Sequence, residues 1–236
     1  MTRTYAIVQA RTGSMRFPGK MLRELHGSPV LEWVLRRVAE SRRIDGLVLA
    51  TSDLPEDSPL EDIAKCLGVS VFRGSESDVL GRFIGAAAEC GAENIVRVCA
   101  DNPFVDPREV DRLVAFFLDG DYDYACNHQN RLGSQYADGF GAEAVRADVL
   151  RAISRKATSA RHREHVTLYV WDYPCDYRIG VVPAPSALAF PRLRFDVDSP
   201  DDLAYLDQLC QLGVSNCTSA AEIVRIALDA ARCSPP

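Results

Sequence analysis

The chain has 236 residues, 47% of them hydrophobic, and a formal net charge of −6. That length and apolar content suffice to bury a core, while the acidic balance argues against broad nucleic-acid binding and leaves room only for a local basic pocket. No apolar run approaches the length that spans a bilayer, and a strand pattern begins within a few residues of the N-terminus. Neither a membrane segment nor a signal peptide is therefore expected, and the chain reads as cytoplasmic.

Nothing interrupts the pattern as a linker would, and there is no internal repeat, so residues 1–236 are expected to form a single domain. The eight cysteines (66, 90, 99, 126, 175, 210, 217 and 233) show no CxxC and no Cys/His pairing, and free thiols are the expectation.

Strand-like and helix-like runs alternate from the start. "TYAIVQA" is a strand. After a loop, "SPVLEWVLRRVAESRR" has apolar residues at helical spacing. "GLVLATS" is a buried strand and "DSPLEDIAKCLG" a helix with a Ser/Pro start and a Gly stop. "VSVFRG" and "SDVLGRFIGAAAECG" repeat the strand–helix order. So do "NIVRVCAD" and "DPREVDRLVAFFLDG", the latter entered through Asp106 as N-cap and Pro107 at the first helical position. Four such units predict an α/β fold with a mostly parallel sheet covered by helices on both faces. In the second half "DYDYACNH", "AEAVRA", "DYRIGVVPAP" and "RLRFDVD" read as strands. "ADVLRAISRKA", "SARHREHVTLYVWDY", "SPDDLAYLDQLCQLG" and "SAAEIVRIALDAAR" read as helices. Trp33, Trp171, Phe116 and Phe117 are assigned to core or dimer packing.

In open parallel sheets ligands bind beyond the carboxyl ends of the strands, so the residues just after strands are where chemistry is sought. The first such loop runs from Arg11 to about Ser28, whereas strand-to-helix connections usually take about two to six residues. It carries Arg11, Arg16 and Lys20, with Gly13 and Gly19 to free the backbone, which suits the oxygens of a triphosphate. It is not a P-loop: five residues separate the two glycines, and Met21 follows Lys20. No dinucleotide fingerprint is present either. Asp101 ends the fourth strand, and Asp196 and Asp198 end "RLRFDVD". Carboxylates there suit Mg²⁺ shared with substrate phosphates, although Asp198 would also serve as an N-cap. A cationic grip facing carboxylates supplies the parts for metal-assisted nucleotidyl transfer.

These residues also carry a family resemblance. "QARTGSMRFPGK" resembles the N-terminal signature of sugar-nucleotide cytidylyltransferases, A-R-x-x-S-x-R-x-P-G-K. "LATSDLPEDSPLEDIA", "GVSVFRGSESDVLGRF", "VRVCADNPFVDPREVD", "REHVTLYV" and "FDVDSPDDL" follow in the family's order, to about residue 210. Together they are similar to the SpsF-like branch, related to enzymes that make CMP-3-deoxy-manno-octulosonate and CMP-sialic acid. The resemblance implies a Rossmann-like nucleotide-diphospho-sugar transferase fold of the GT-A type, use of CTP and Mg²⁺, a homodimer, and a role in surface-polysaccharide precursors. By the same likeness Gln9, Ala10, Arg11, Gly13, Ser14, Arg16, Lys20, Gly74, Ser75 and Asp101 bind the nucleotide, with Arg11, Arg16 and Lys20 catalytic. Asp101, Asp198 and Asp196 hold the metal, and Asp138, Glu143 and His165 face the acceptor. Arg163 and Glu164 fit equally well as a surface ion pair.

One departure bears on the acceptor. The relatives tend to read D-G-L-D-V-E where this chain reads "DGFGAE", so Gly141 replaces a second aspartate. The acceptor then need not be a common ulosonic acid, and phosphonates or other small anions remain within range. The expected reaction is CMP transfer from CTP to a small acceptor with release of pyrophosphate. A GT-A-type glycosyltransferase is the alternative, because "DVD" at 196–198 and "DYD" at 121–123 have the D-x-D form that holds a metal on a nucleotide sugar. A catalytically idle protein on the same scaffold is the third possibility.

Overall fold

The computed structural model describes residues 2–14, 16–128 and 133–233. Its principal sheet has seven strands: β1 (Thr4–Gln9), β4 (Gly46–Ser52), β5 (Ser70–Gly74), β6 (Asn94–Cys99), β7 (Tyr124–Cys126), β8 (Glu143–Arg146) and β9 (Ile179–Val181). Their spatial order is β5-β4-β1-β6-β8-β7-β9, and only β8 runs against the others. β1 is central, flanked by β4 and β6, so both faces are covered and its sequence is apolar almost throughout. Ala6 and Val8 enter the core on one side of the sheet and Ile7 the core on the other, as the two-residue period requires.

Helices α1 (Val30–Ala39), α2 (Ser58–Cys66), α4 (Pro107–Asp119), α8 (Pro200–Gln211) and α9 (Ala220–Cys233) cover the first side. The second is covered by α3 (Val79–Cys90), α5 (Ala147–Lys156) and the short α7 (Leu168–Asp172). The expected start of α4 is present, with Asp106 accepting from the Arg108 amide at 2.8 Å and Pro107 following. At α8 the cap falls to Ser199 in a reciprocal box with Asp202, which leaves Asp198 free for other work.

Three expectations are corrected. "SARHREHVTLYVWDY" is two helices, α6 (Ala160–Glu164) and α7, with extended backbone at His165 between them. Val166, Thr167 and Leu168 are all buried, and three consecutive buried positions do not fit the stripe of one amphipathic helix. Among the described residues "RLRFDVD" forms no strand of the sheet: Arg194 makes a bridge to Asp138 outside the named strands, and just past the end of β6 the Val197 amide donates to the Asp101 carbonyl at 2.8 Å. The long first loop is also partly folded. It contains a 3-10 turn (Lys20–Leu22) and a small antiparallel pair, β2 (Glu24–Leu25) with β3 (Ser28–Pro29). His26 and Gly27, at φ 50° and 82°, make the two-residue turn between them.

Among the described residues no helix is long and apolar enough to cross a membrane. Among the described residues Cys66, Cys90, Cys99, Cys126, Cys175, Cys210 and Cys217 form no disulfide; the side chain of Cys233 lies outside the described residues. Trp33 is buried in the core and donates to the Leu25 carbonyl at 2.8 Å, and Phe117 is buried in the same core.

Candidate active site

The carboxyl ends of β1 and β6 open into a cleft of about 330 Å³. Gln9, Ala10 and Arg11 enter it from β1, Cys99, Ala100 and Asp101 from β6, and Ser14, Arg16 and Lys20 from the first loop. The loop is anchored at its base. Thr12 donates its amide and its hydroxyl to Asp57 Oδ1, both at 2.7 Å, while Ser52 Oγ donates to Asp57 Oδ2 at 2.5 Å. Burial pushes the Asp57 carboxyl up, but these hydrogen bonds outweigh it and hold the group below its ordinary range. Gly19 then turns the chain at φ 66°, its amide bonded back to the Thr12 carbonyl at 3.0 Å, and delivers Lys20 into the cleft.

Lys20 Nζ lies 3.0 Å from Asp101 Oδ2, 3.1 Å from Asp198 Oδ1 and 2.7 Å from the Val197 carbonyl. Burial works against its charge, yet the two carboxylates raise its pKa above the ordinary lysine value, so it remains an ammonium. Arg16 reaches the same Asp198 at 2.9 and 3.1 Å. Across the cleft, Arg11 Nη2 donates to Glu164 Oε1 at 3.0 Å. Arg163 and Glu164 are thus not a surface pair: Glu164 holds Arg11, whereas Arg163 donates to Asp78 and Ser154 and fastens α6 onto α3.

Sequence reasoning missed Arg82. It lies on the buried face of α3, is only 3% exposed and lines the cleft. Its Nη1 donates to the Ser75 and Glu76 carbonyls at 3.1 and 3.2 Å, and its buried Nε has no hydrogen-bond partner among the described residues. Burial first, and the charge of Arg11 second, push its pKa down, an imbalance that a bound anion would relieve. The available signal was an arginine on the apolar stripe of a helix that begins at the site.

A second cavity of about 320 Å³ adjoins the first, sharing Cys99 and His165. Beneath it Glu143 is fully buried. It accepts from Arg97 at 2.5 Å, from the Tyr124 hydroxyl at 2.7 Å and from the Thr167 hydroxyl at 3.0 Å, with His128 Nε2 at 3.7 Å. Burial opposes its charge, but Arg97 and these donors hold its carboxyl well below the usual range. Arg97 also donates Nε to Gln9 at 3.1 Å and lines the cavity. Cys99 at the junction is neutral, because burial pushes its thiol up to about 12.

Several anticipated residues take other positions. Glu143 has no exposed surface and lines neither cavity; it is the anchor of Arg97. Asp138 likewise lines neither, and burial first, with nearby Asp196 adding to it, raises its pKa despite His128 and Arg194. Asp196 is engaged by Arg194 at 2.6 and 3.0 Å. Gly74 and Ser75 lie at the end of β5, behind Arg82. Gly13 packs against Glu76 with an ordinary negative φ; only Gly19 of the two needs glycine's freedom. His165 lines both cavities, at the break after α6. Of the D-x-D candidates, "DYD" is at the start of β7, away from the cleft, where Asp123 holds Arg178 at 3.0 Å. A separate cavity of about 970 Å³ shares no lining residue with the cleft, and its Arg37 is saturated by the carbonyls of Phe104, Val105, Ser215, Asn216 and Thr218.

Among the described residues no three His, Cys, Asp or Glu side chains converge as a ready metal cage. Two carboxylates on one side of an anion-binding cleft do fit Mg²⁺, which completes its shell from substrate phosphates and water. Asp101 and Asp198 are that pair.

A mostly parallel sheet that presents arginines and a lysine opposite two carboxylates beyond its strand ends belongs to the nucleotidyltransferase class. Within it, residues 5–219 match the cytidylyltransferase family model, and the chain belongs to that family. It is 37% identical over 230 residues to the spore coat polysaccharide biosynthesis protein SpsF of Bacillus subtilis, covering 93% of this chain and 92% of that one. Among solved structures, a cytidylyltransferase from Leptospira borgpetersenii superposes with a TM-score of 0.92 at 25% identity, over 98% of this chain and 96% of that one. CMP:2-keto-3-deoxy-manno-octonic acid synthetase complexed with CTP shares the fold, with a TM-score of 0.68 at 19% identity over 90% of this chain and all of that one.

Proposed function

We propose that this enzyme transfers CMP from CTP to a small anionic acceptor, releasing pyrophosphate, in the synthesis of an activated sugar or sugar-like precursor. The observation that carries this reading is the gathering of Arg11, Arg16, Lys20 and Arg82 around one cleft that faces Asp101 and Asp198. Arg11, Arg16 and Lys20 neutralise the triphosphate, and Arg82 adds a buried positive charge from α3. Fixed cations of this kind stabilise the charge that develops on the departing pyrophosphate and need no reorganisation during the reaction. Gln9, Ala10 and Ser14 border the same cleft, and the loop at Gly74 and Ser75 closes it behind Arg82.

The second cavity receives the acceptor. Arg97, held by Gln9 and Glu143, offers its guanidinium to an anionic group, while Thr167 and Trp171 form the wall and His165 stands between acceptor and nucleotide. An acceptor oxygen held there attacks the α-phosphorus, and the P–O bond to pyrophosphate breaks. Asp101 and Asp198 would hold the divalent cation, Mg²⁺ by family resemblance; when bound it neutralises phosphate charge and lowers the pKa of the acceptor hydroxyl. No side chain is required as a dedicated base. The functional unit is expected to be a homodimer, which light scattering would test.

The deciding experiment is calorimetric titration of CTP, UTP, GTP and ATP with Mg²⁺ into the wild type and Lys20→Ala. Preference for CTP, lost in the variant, supports the reading and leads to an acceptor screen by pyrophosphate release. Binding only of a nucleotide sugar would favour glycosyl transfer.

A further inference from the structure

We propose that the Lys20 ammonium stands in for the divalent cation, so that Asp101 and Asp198 accept metal only when nucleotide phosphates draw Lys20 away. This inference rests on the reading of the cleft as a nucleotide site and concerns the order of events within it.

The ammonium has three N–H donors, and its three oxygen neighbours take all of them: Asp101 Oδ2 at 3.0 Å, Asp198 Oδ1 at 3.1 Å and the Val197 carbonyl at 2.7 Å. Two carboxylates and a carbonyl are also what a hard dication selects. The Lys20 side chain is only 12% exposed, so it fills this position rather than sweeping past it.

The surrounding charges are balanced without metal. Asp198 is shared by Lys20, Arg16 and Arg194, the last at 3.6 Å, and Arg194 also holds Asp196. Three cations thus face Asp101, Asp196 and Asp198, so both carboxylates that would take the dication already carry positive partners. A metal on Asp101 and Asp198 would meet the ammonium at close range, where repulsion is large in a partly buried site. A triphosphate changes the balance by supplying new oxygen partners for Lys20 and Arg16. The carboxylates are released at the moment the phosphates need a counter-ion, so metal and nucleotide enter together.

The test measures free Mn²⁺ by electron paramagnetic resonance during titration of nucleotide-free protein. The proteins compared are the wild type, Lys20→Met, and Lys20→Met combined with Asp198→Asn. Lys20→Met is expected to bind one Mn²⁺ about tenfold or more tightly than the wild type. The double variant is expected to lose that gain. Equal binding by the wild type and Lys20→Met, or a gain that survives Asp198→Asn, overturns the proposal. If Lys20→Met does not fold, Lys20→Gln is used: it keeps two N–H donors without the charge, and the same gain is expected. CTP calorimetry on the wild type separates the two readings. Failure of the Mn²⁺ gain with CTP binding intact removes the exchange alone, whereas the Mn²⁺ gain without CTP binding removes the nucleotide reading.

Discussion

Arg97 and Glu143 face each other across β6 and β8, and their side chains meet at 2.5 Å beneath the second cavity. The pair joins β8, which runs against the other described strands of the sheet, to β6, which leads to Asp101. Removing one member strands a buried charge, which typically costs about 3–5 kcal/mol. Glu143→Gln should therefore lower stability by that order in urea denaturation, and Glu143→Gln with Arg97→Met should recover much of it. A Glu143→Gln protein as stable as the wild type would contradict this account of the network.

The loop anchor gives a pH dependence of defined sign. The folded Asp57 pKa lies below its unfolded value, because hydrogen bonds from Ser52 and Thr12 outweigh burial. Its contribution is complete above the ordinary aspartate range and is lost as pH falls through the folded value. Glu143, also depressed, behaves in the same direction at lower pH. Asp57→Asn should cost about 1–3 kcal/mol at neutral pH and flatten the acid limb of the stability curve. Thermal melts from pH 7 down to strongly acid conditions would show whether the limb changes.

Arg82 lines the cleft, and among the described residues its buried Nε has no hydrogen-bond partner. Loss of a charged hydrogen bond should weaken triphosphate affinity about ten- to hundredfold in Arg82→Met, measured by calorimetry. If affinity is unchanged and only the melting temperature falls, Arg82 is simply a clamp on the Ser75–Glu76 backbone.

At Gly141, where the family resemblance leads one to expect an aspartate, a Cβ would lie 2.5 Å from Asn127 Oδ1 and 2.8 Å from the His128 Cβ. That Asn127 oxygen already accepts from the Ala142 amide at 2.8 Å. Gly141→Ala should therefore destabilise by about 1–3 kcal/mol through overpacking. Gly141→Asp should disturb His128 rather than restore a carboxylate to the acceptor wall. A crystal structure of the variant with Asn127 and His128 unmoved would refute this.

Much of the molecule was legible before any coordinates. Period-two and period-3.6 apolar patterns marked the strands and helices of the first half, and Asp106–Pro107 marked the start of α4. Post-strand position singled out Arg11, Arg16, Lys20 and Asp101, because a parallel sheet gathers its strand ends on one edge; Asp196 and Asp198 were read from "RLRFDVD", which is not a strand of that sheet. The break at His165 was not legible, since continuous helical spacing conceals a stretch that must bury three neighbours in succession.

The sequence by itself determined the layered α/β architecture and the charged residues that crowd the strand ends, because both follow from local periodicity and chain order. Tertiary structure alone decided the partners. Lys20 meets Asp198 from 178 positions away, and Arg11 meets Glu164 from 153. It also set Glu143 as a buried anchor, Asp196 as the partner of Arg194, and Arg82 as a wall of the cleft. Whether a carboxylate binds a ligand or holds an arginine depends on which distant side chain packing brings within about 3 Å, and no local pattern records that distance.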